Sequence, residues 1–359
     1  MKKKITFFVY DLYQMGGIEK VVTLIANELC LNYDVEIISL YKKSDKPFYK
    51  LNSKIKVWNI LEKQLDPIKL YYPYLMYKTR KALKNLKTDI FICAGMGYVG
   101  LNIFMRKKAK YVAWEHSNSL NGKVGGIMWL GRKLSAKYAD KIVVLTKKDE
   151  KINIEKFHSE GKIVQIYNPI EKMEMEYKYN ENSKLILSSG RLESQKGFDM
   201  LVEVAKGVLT KHTDWEWHIY GDGPDKEKLQ NMINENGLEN NLKLMGRTNK
   251  MNELYKEYAF FVLTSRYEGF CMVNIEAHYA KLPIVSFKCN CGPEEIIQEG
   301  KNGYLIDCFD TKEMVKKINH LIEDSSLRKE MSENTMLDKD KLQMSSIITK
   351  WHEVIKVLK

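Results

Sequence analysis

Two doubly wound α/β domains in tandem are what this sequence predicts, on three observations. The chain has 359 residues, too long for one ordinary hydrophobic core and suited to two domains of about 150–200 residues. Short apolar, β-branched and aromatic runs recur between stretches of helical periodicity, and strands apolar on both faces that alternate with helices build parallel sheets. Near the middle, residues 171–183 (EKMEMEYKYNENS) are polar, charged and without a consistent period, which reads as an inter-domain linker. Domains are therefore expected at 1–170 and 171–344, with 345–359 as a C-terminal helix.

In the first domain the strand-like runs are residues 5–10, 34–40, 55–60, 88–94, 110–114 and 141–145. The first of them leads through Gly16-Gly17 into an amphipathic helix spanning about residues 19–31. The second domain repeats the rhythm at 184–189, 216–220, 242–245, 260–264 and 283–287, with helices opening near Phe198 and Cys271. In residues 345–358 the side chains of Ile347, Ile348, Trp351, Val354, Ile355 and Leu358 fall at helical spacing. That pattern predicts a helix packing one face back on the body, with the N-terminal domain as a candidate partner.

Apolar residues make up 44 % of the chain and charged residues 29 %, which excludes a disordered or fibrous protein. The net charge of +12 is one-sided: residues 1–170 carry 31 Lys+Arg against 15 Asp+Glu, residues 171–359 carry 27 against 31. This asymmetry points to an anionic partner of the N-terminal domain, either nucleic acid or an acidic membrane surface. Residues 70–87 (LYYPYLMYKTRKALKNLK) mix Tyr, Leu and Met with Lys78, Arg80, Lys81 and Lys84. They fit an interfacial amphipathic segment and equally a helix packed on its own sheet with a solvated basic face. Asp11 ends the opening apolar run after six residues, too early for a signal peptide, and no run approaches the roughly 20 apolar residues that cross a bilayer. Six scattered cysteines without a C-x-x-C pair suit a reducing cytoplasm better than a disulfide frame or a zinc site.

Ligands of open α/β sheets bind beyond the carboxyl ends of the strands, so the loops after the strands hold the candidates. Gly16-Gly17 precedes a helix N-terminus that favours an anion; a plain turn explains it equally. Gly95-Met-Gly97-Tyr-Val-Gly100 comes after a strand, with Glu115 twenty residues beyond Gly95, and matches the dinucleotide fingerprint. Against an NAD site, three strand-like runs precede it, whereas the fingerprint belongs to the first strand of its domain. Gly190-Arg191-Leu192-Glu193-Ser194-Gln195-Lys196-Gly197 offers a guanidinium fork and an ammonium that could clamp a diphosphate, or is a solvated turn. Glu268-Gly269-Phe270-Cys271 and Glu276 place two carboxylates eight residues apart, the first in a loop and the second in a helix that needs a partner for it.

Together, Gly16-Gly17, Gly190-Arg191-Leu192 with Lys196-Gly197-Phe198, and Glu268-Gly-Phe with Glu276-Ala277 resemble the retaining glycosyltransferases of family four, of the bacterial polysaccharide and glycan-assembly type. The resemblance covers nearly the whole chain. It implies the GT-B fold, two Rossmann-like domains facing each other across a cleft. It also implies that Arg191 and Lys196 neutralise a donor diphosphate, Glu276 binds the ribose hydroxyls, Glu268 contacts the transferred sugar, and Gly16 and Gly17 lie against the donor. Gly269, Phe270 and Cys271 belong to the same donor-binding element, and Gly221, Gly246 and Arg247 fall where the family wraps the nucleotide base. His116, in Trp114-Glu-His-Ser-Asn, matches the family's active-site histidine, so that His116 and Glu268 become the catalytic candidates.

Fixed cations and helix N-termini around a leaving diphosphate supply the electrostatic stabilisation that transfer needs, so neither a metal nor a cofactor is expected beyond the nucleotide-sugar co-substrate. The Asp338-Lys-Asp340 string lies in a polar stretch and reads as accidental. Two departures stand out: Cys271 and Lys281 occupy positions where the family usually has glycine. The loop Cys289-Asn-Cys-Gly292-Pro293-Glu294-Glu295 is similar to that of members using UDP-hexoses or UDP-N-acetylhexosamines, which makes UDP the expected carrier. The implied protein is a cytoplasmic enzyme that could sit peripherally on the inner face of the membrane, acting on a glycan or lipid-linked acceptor and not on nucleic acid. An NAD-dependent oxidoreductase using Gly95, Gly97 and Gly100, and a nucleotide-sugar epimerase of the same fold, are the alternatives.

Overall fold

The computed structural model describes residues 2–65, 67–170, 177–336 and 339–358. The chain forms two compact units, Met1–Glu171 joined by Lys341–Lys359, and Lys172–Asp340. Of the expected linker, residues 171–176 lie outside the described residues, as does Asp338 of the Asp-x-Asp string. Tyr177, just beyond, is already buried and its hydroxyl donates to Asn252 O at 2.6 Å.

The first unit is a seven-stranded parallel sheet in the order β3-β2-β1-β4-β5-β6-β7. Its strands are β1 Lys4–Val9, β2 Asp34–Tyr41, β3 Lys56–Leu61, β4 Ile90–Ala94, β5 Lys110–Trp114, β6 Lys141–Val144 and β7 Ile163–Gln165. Helices α1 Gly17–Leu29, α2 Ile68–Ala82, α3 Val99–Asn102, α4 Ile127–Tyr138 and α5 Lys147–Phe157 connect them. The central strands are the continuous apolar runs of the sequence: Phe7, Phe8, Phe91, Ile92 and Val112 are fully buried, as a sheet covered by helices on both faces requires.

The second unit is a six-stranded parallel sheet, β10-β9-β8-β11-β12-β13. Its strands are β8 Leu185–Ser189, β9 Glu216–Tyr220, β10 Leu242–Gly246, β11 Phe260–Leu263, β12 Ile284–Phe287 and β13 Gly303–Ile306. Helices α6 Phe198–Leu209, α7 Lys226–Glu235, α8 Met251–Leu254, α9 Met272–Tyr279, α10 Thr311–Glu323 and α11 Ser325–Glu333 flank it. The last helix, α12 Met344–Val357, belongs to the first unit and buries Ile347, Trp351, Val354 and Ile355.

In each sheet the winding direction reverses once, between β1 and β4 in the first unit and between β8 and β11 in the second. Such a switch point splays apart two neighbouring loops and is where doubly wound sheets bind ligands. The Gly16-Gly17 loop comes after β1; the Gly190–Lys196 and Thr264–Cys271 loops come after β8 and β11.

Candidate active site

At the switch point of the second unit the two loops are laced together. Arg266 N donates to Gln195 O (2.8 Å), Gln195 Nε2 to Tyr267 O (3.1 Å) and Thr264 Oγ1 to Lys196 O (3.1 Å). Gly197 makes the approach possible: its φ is +65°, and a Cβ there would run into Thr264 O. Arg266, which the motifs did not single out, adds a bidentate bridge to Asp199 at 2.8 and 2.6 Å and a bond to Ser194 O.

This lacing brings Lys196 and Glu268, 72 residues apart, to 2.7 Å between Nζ and Oε1. Their side chains are only 15 % and 7 % exposed, and Ser265 Oγ donates to the same carboxylate oxygen at 2.6 Å. Burial works against the Lys196 ammonium, but the Glu268 charge and hydrogen bond outweigh it and hold its pKa above the usual lysine value. Lys196 is therefore a permanently charged cation inside the loop after β8. Arg191 stands differently: its side chain is 70 % exposed and its Nε pairs with Glu193 at 3.3 Å.

Behind Glu268, Gly269, Phe270 and Cys271 are buried and lead into α9, whose first turn no side chain caps. Burial raises the Cys271 thiol to about 12, with the Glu268 charge adding to it, so it stays a neutral thiol. Glu276, on the exposed-to-buried flank of α9, accepts a hydrogen bond from the Tyr255 hydroxyl at 3.2 Å. Tyr255 is fully buried, and burial together with the Glu276 charge pushes its hydroxyl far above the ordinary tyrosine pKa, leaving it a donor. The ends of β8, β9 and β10 also meet: Gly190 N donates to Tyr220 O (3.0 Å), Gly221 N to Gly246 O (2.9 Å) and Leu192 N to Asp222 O (3.0 Å). Arg247 reaches Asp222 at 3.0 Å in an exposed pair.

In the first unit Gly16 is the N-cap of α1, and the carboxylate of Glu19 folds back over it. His116 lies in the loop after β5. Its Nε2 is buried without a hydrogen-bond partner, its ring lies tilted against Trp114 at 4.3 Å between centroids and 44° between planes, and burial lowers its pKa to about 3. The backbone of this loop is pinned by Glu115, whose Oε1 accepts from His116 N (3.2 Å) and Ser117 N (3.0 Å). Arg132 of α4 holds that carboxylate at 2.7 Å, both side chains being 1 % exposed. Its Nη2 also donates to Asn118 O at 2.9 Å. A lone arginine in a helix seventeen residues on gives no sequence signal for this partnership.

The same network overturns the NAD alternative. Glu115, which the fingerprint assigns to a ribose, is consumed by Arg132 and by its own loop. The glycines of residues 95–100 serve packing: Tyr72 of α2 donates to Gly97 O at 3.3 Å and fills the space a Cβ at Gly100 would need. After Gly95 the chain forms a 3-10 turn and a four-residue helix, too short to offer a dinucleotide the helix N-terminus it requires. Among the described residues no group of three or more His, Cys, Asp or Glu side chains could hold a metal ion.

Residues 15–172 match the family model of Glycosyltransferase Family 4, and residues 169–337 that of Glycosyl transferases group 1. An uncharacterized glycosyltransferase of Haemophilus influenzae is 31 % identical over 364 residues, 98 % of this chain and 100 % of its own. The chain belongs to glycosyltransferase family four. A second relative of this glycosyltransferase, 26 % identical over 99 % of both chains, is the GalNAc-alpha-(1->4)-GalNAc-alpha-(1->3)-diNAcBac-PP-undecaprenol alpha-1,4-N-acetyl-D-galactosaminyltransferase of Campylobacter jejuni. Among solved structures, a point variant of S. aureus TarM in complex with fondaparinux, alpha-GlcNAc-glycerol and UDP superposes with a TM-score of 0.80 at 20 % identity. The match covers 99 % of each chain and establishes the GT-B fold.

Proposed function

We propose that this glycosyltransferase moves a hexose or N-acetylhexosamine from a UDP-sugar to a lipid-linked glycan acceptor in cell-surface polysaccharide synthesis, with retention and without a metal ion. The buried Lys196–Glu268 pair at the switch point of the second unit carries the reading. A cation held there, beside an uncapped helix N-terminus, is preorganised for the charge that develops when a diphosphate leaves. Arg191 is a second, exposed cation on the same loop. Glu276, oriented by Tyr255, is suited to a pair of ribose hydroxyls, and Glu268 and His116 to the transferred sugar. The C1–O bond to the diphosphate breaks as the acceptor oxygen bonds to C1 on the same face, and the acceptor proton passes to the departing phosphate oxygen. Support for the donor and acceptor comes from TarM, solved with UDP, and from the undecaprenol-linked substrate in the Campylobacter relative's name.

Thermal shift tests the donor: UDP at a hundred times its Kd is expected to stabilise the protein by about 2.7 kcal/mol, while GDP and NAD leave Tm unchanged. Stabilisation by NAD alone would sink the proposal. Hydrolysis of UDP-sugars should survive EDTA, and a loss restored by Mg2+ would remove the metal-independent reading.

Helix α2 supports a membrane role. Leu75 and Thr79 are buried, while Leu70, Tyr74 and Tyr77 form one exposed stripe at i, i+4 and i+7, beside Arg80, Lys81 and Lys84. Among the described residues no helix is long and apolar enough to cross a membrane. An interfacial helix of this kind binds anionic lipid through both area and charge. Binding to vesicles containing anionic lipid should therefore weaken with salt and with neutralisation of Lys78, Arg80, Lys81 and Lys84.

A further inference from the structure

His116 has no hydrogen-bond partner at Nε2, and its ring packs against that of Trp114, 4.3 Å away at 44°. Trp114 is in turn 1 % exposed, and its indole N–H has no partner; packing alone sets its orientation. Two aromatic rings supply that packing, Phe7 at 6.5 Å and, much nearer, Trp351 at 4.7 Å in an edge-on arrangement of 68°. Edge-to-face pairs of this geometry have a preferred orientation as well as buried area. Trp351 lies on α12, at the far end of the chain, and is fully buried with its own indole N–H unpartnered.

Helix α12 is itself tied to the first unit by polar contacts away from the aromatic stack. Lys3 Nζ donates to Ile355 O and Leu358 O at 3.4 Å, the Tyr33 hydroxyl meets His352 Nδ1 at 3.1 Å, and Lys350 Nζ donates to Gln165 O at 3.4 Å. The helix thus delivers Trp351 to a fixed place behind Trp114.

We infer that Trp351 is a positioning residue for His116, acting through Trp114, so that the C-terminal helix is part of what sets the reactive geometry. This rests on the assignment of His116 to the transferred sugar. Without the Trp351 edge, Trp114 gains room to rotate and the imidazole loses its platform, although no atom of Trp351 touches a substrate.

The test uses the 359-residue chain with Trp351→Leu, Trp351→Phe, His116→Ala and the packing control Val354→Ala, which thins another buried position of the same helix and leaves the Trp351 ring in place. Turnover of a UDP-sugar, Tm and the imidazole resonances of His116 are measured for each, with His116→Ala giving the assignment. A misplaced catalytic group costs up to about 100-fold, so Trp351→Leu should lower kcat about 10-fold or more with KM for the donor within about twofold, and shift the His116 resonances. Trp351→Phe, which keeps an aromatic edge, should hold kcat within about twofold and give a smaller shift in the same direction. Val354→Ala should lower Tm and move neither kcat nor the resonances. Unmoved His116 resonances in Trp351→Leu, or in Trp351→Phe if the leucine variant does not fold, would overturn the inference. Full activity of His116→Ala would instead remove the role of His116, while the resonances still decide whether Trp351 orients it.

Discussion

Lys196 and Glu268 show at the residue scale how a site can be visible as a motif and still hide its energetics. As a motif they are two charges in separate loops; in the fold they are a buried pair 2.7 Å apart. Removing one member of such a pair leaves the other charge uncompensated and costs about 3–5 kcal/mol. Lys196→Ala should therefore lose stability as well as activity. The double variant Lys196→Met/Glu268→Gln should recover most of that stability in urea unfolding while staying inactive. A double variant no more stable than Lys196→Ala would show that the pair is not coupled. Arg191, exposed and paired with Glu193, should lose turnover on substitution by Ala with a change in stability under about 0.5 kcal/mol. The motif spacing made Arg191 and Lys196 look alike, and only burial separates them.

At the scale of the element, α9 ends in a way the family comparison with glycine foreshadowed. Lys281 takes φ = +64°, and the Lys281 N to His278 O and Leu282 N to Ala277 O bonds close a Schellman motif around it. A side chain in this left-handed conformation costs about 1–2 kcal/mol relative to glycine. Lys281→Gly is accordingly expected to raise the urea midpoint by an amount worth about 1 kcal/mol with an unchanged slope. Eleven of the strands were legible from their apolar runs, as were the helices opening beside Gly17, Phe198 and Cys271. The strands β7 and β13 were not. β7 has three residues, all half-buried at a sheet edge, and β13 has four, set after a turn in which Gly300 N and Gly303 O bond. The three residues of β7 are too few to carry a period, and β13 opens on Gly303, which reads as part of the preceding turn rather than as the start of an apolar run.

Over the whole molecule, the basic excess and the two cations proposed to face the donor belong to different halves. The basic excess is in residues 1–170, where α2 sets its apolar stripe beside lysines and arginine, whereas Lys196 and Arg191 lie in the other unit. Acid stability is also a property of the whole fold. His278 is buried, donates Nε2–H to Asn302 O at 3.3 Å, and burial lowers its pKa from 6.5 to about 4. The unfolded chain then binds a proton that the native state refuses, so stability falls as pH drops from 6.5 towards 4. Burial of Asp149, raised to about 6, acts in the opposite sense. Replacing His278 by Asn should therefore flatten the loss of stability between about pH 7 and pH 5 in denaturant titrations; an unchanged slope would mean that His278 is not neutral in the native state.

The sequence by itself determined the two parallel sheets, the loops that carry the candidate site and the family, because strand periodicity, glycine placement and motif spacing are local properties that survive without the fold. Which side chains meet was decided by the tertiary structure alone. Lys196 reaches Glu268 because the winding reverses between β8 and β11; Arg132 closes on Glu115 because α4 crosses the loop after β5. Trp351 reaches Trp114 because α12 returns to the first unit, a contact between residues that no spacing rule connects.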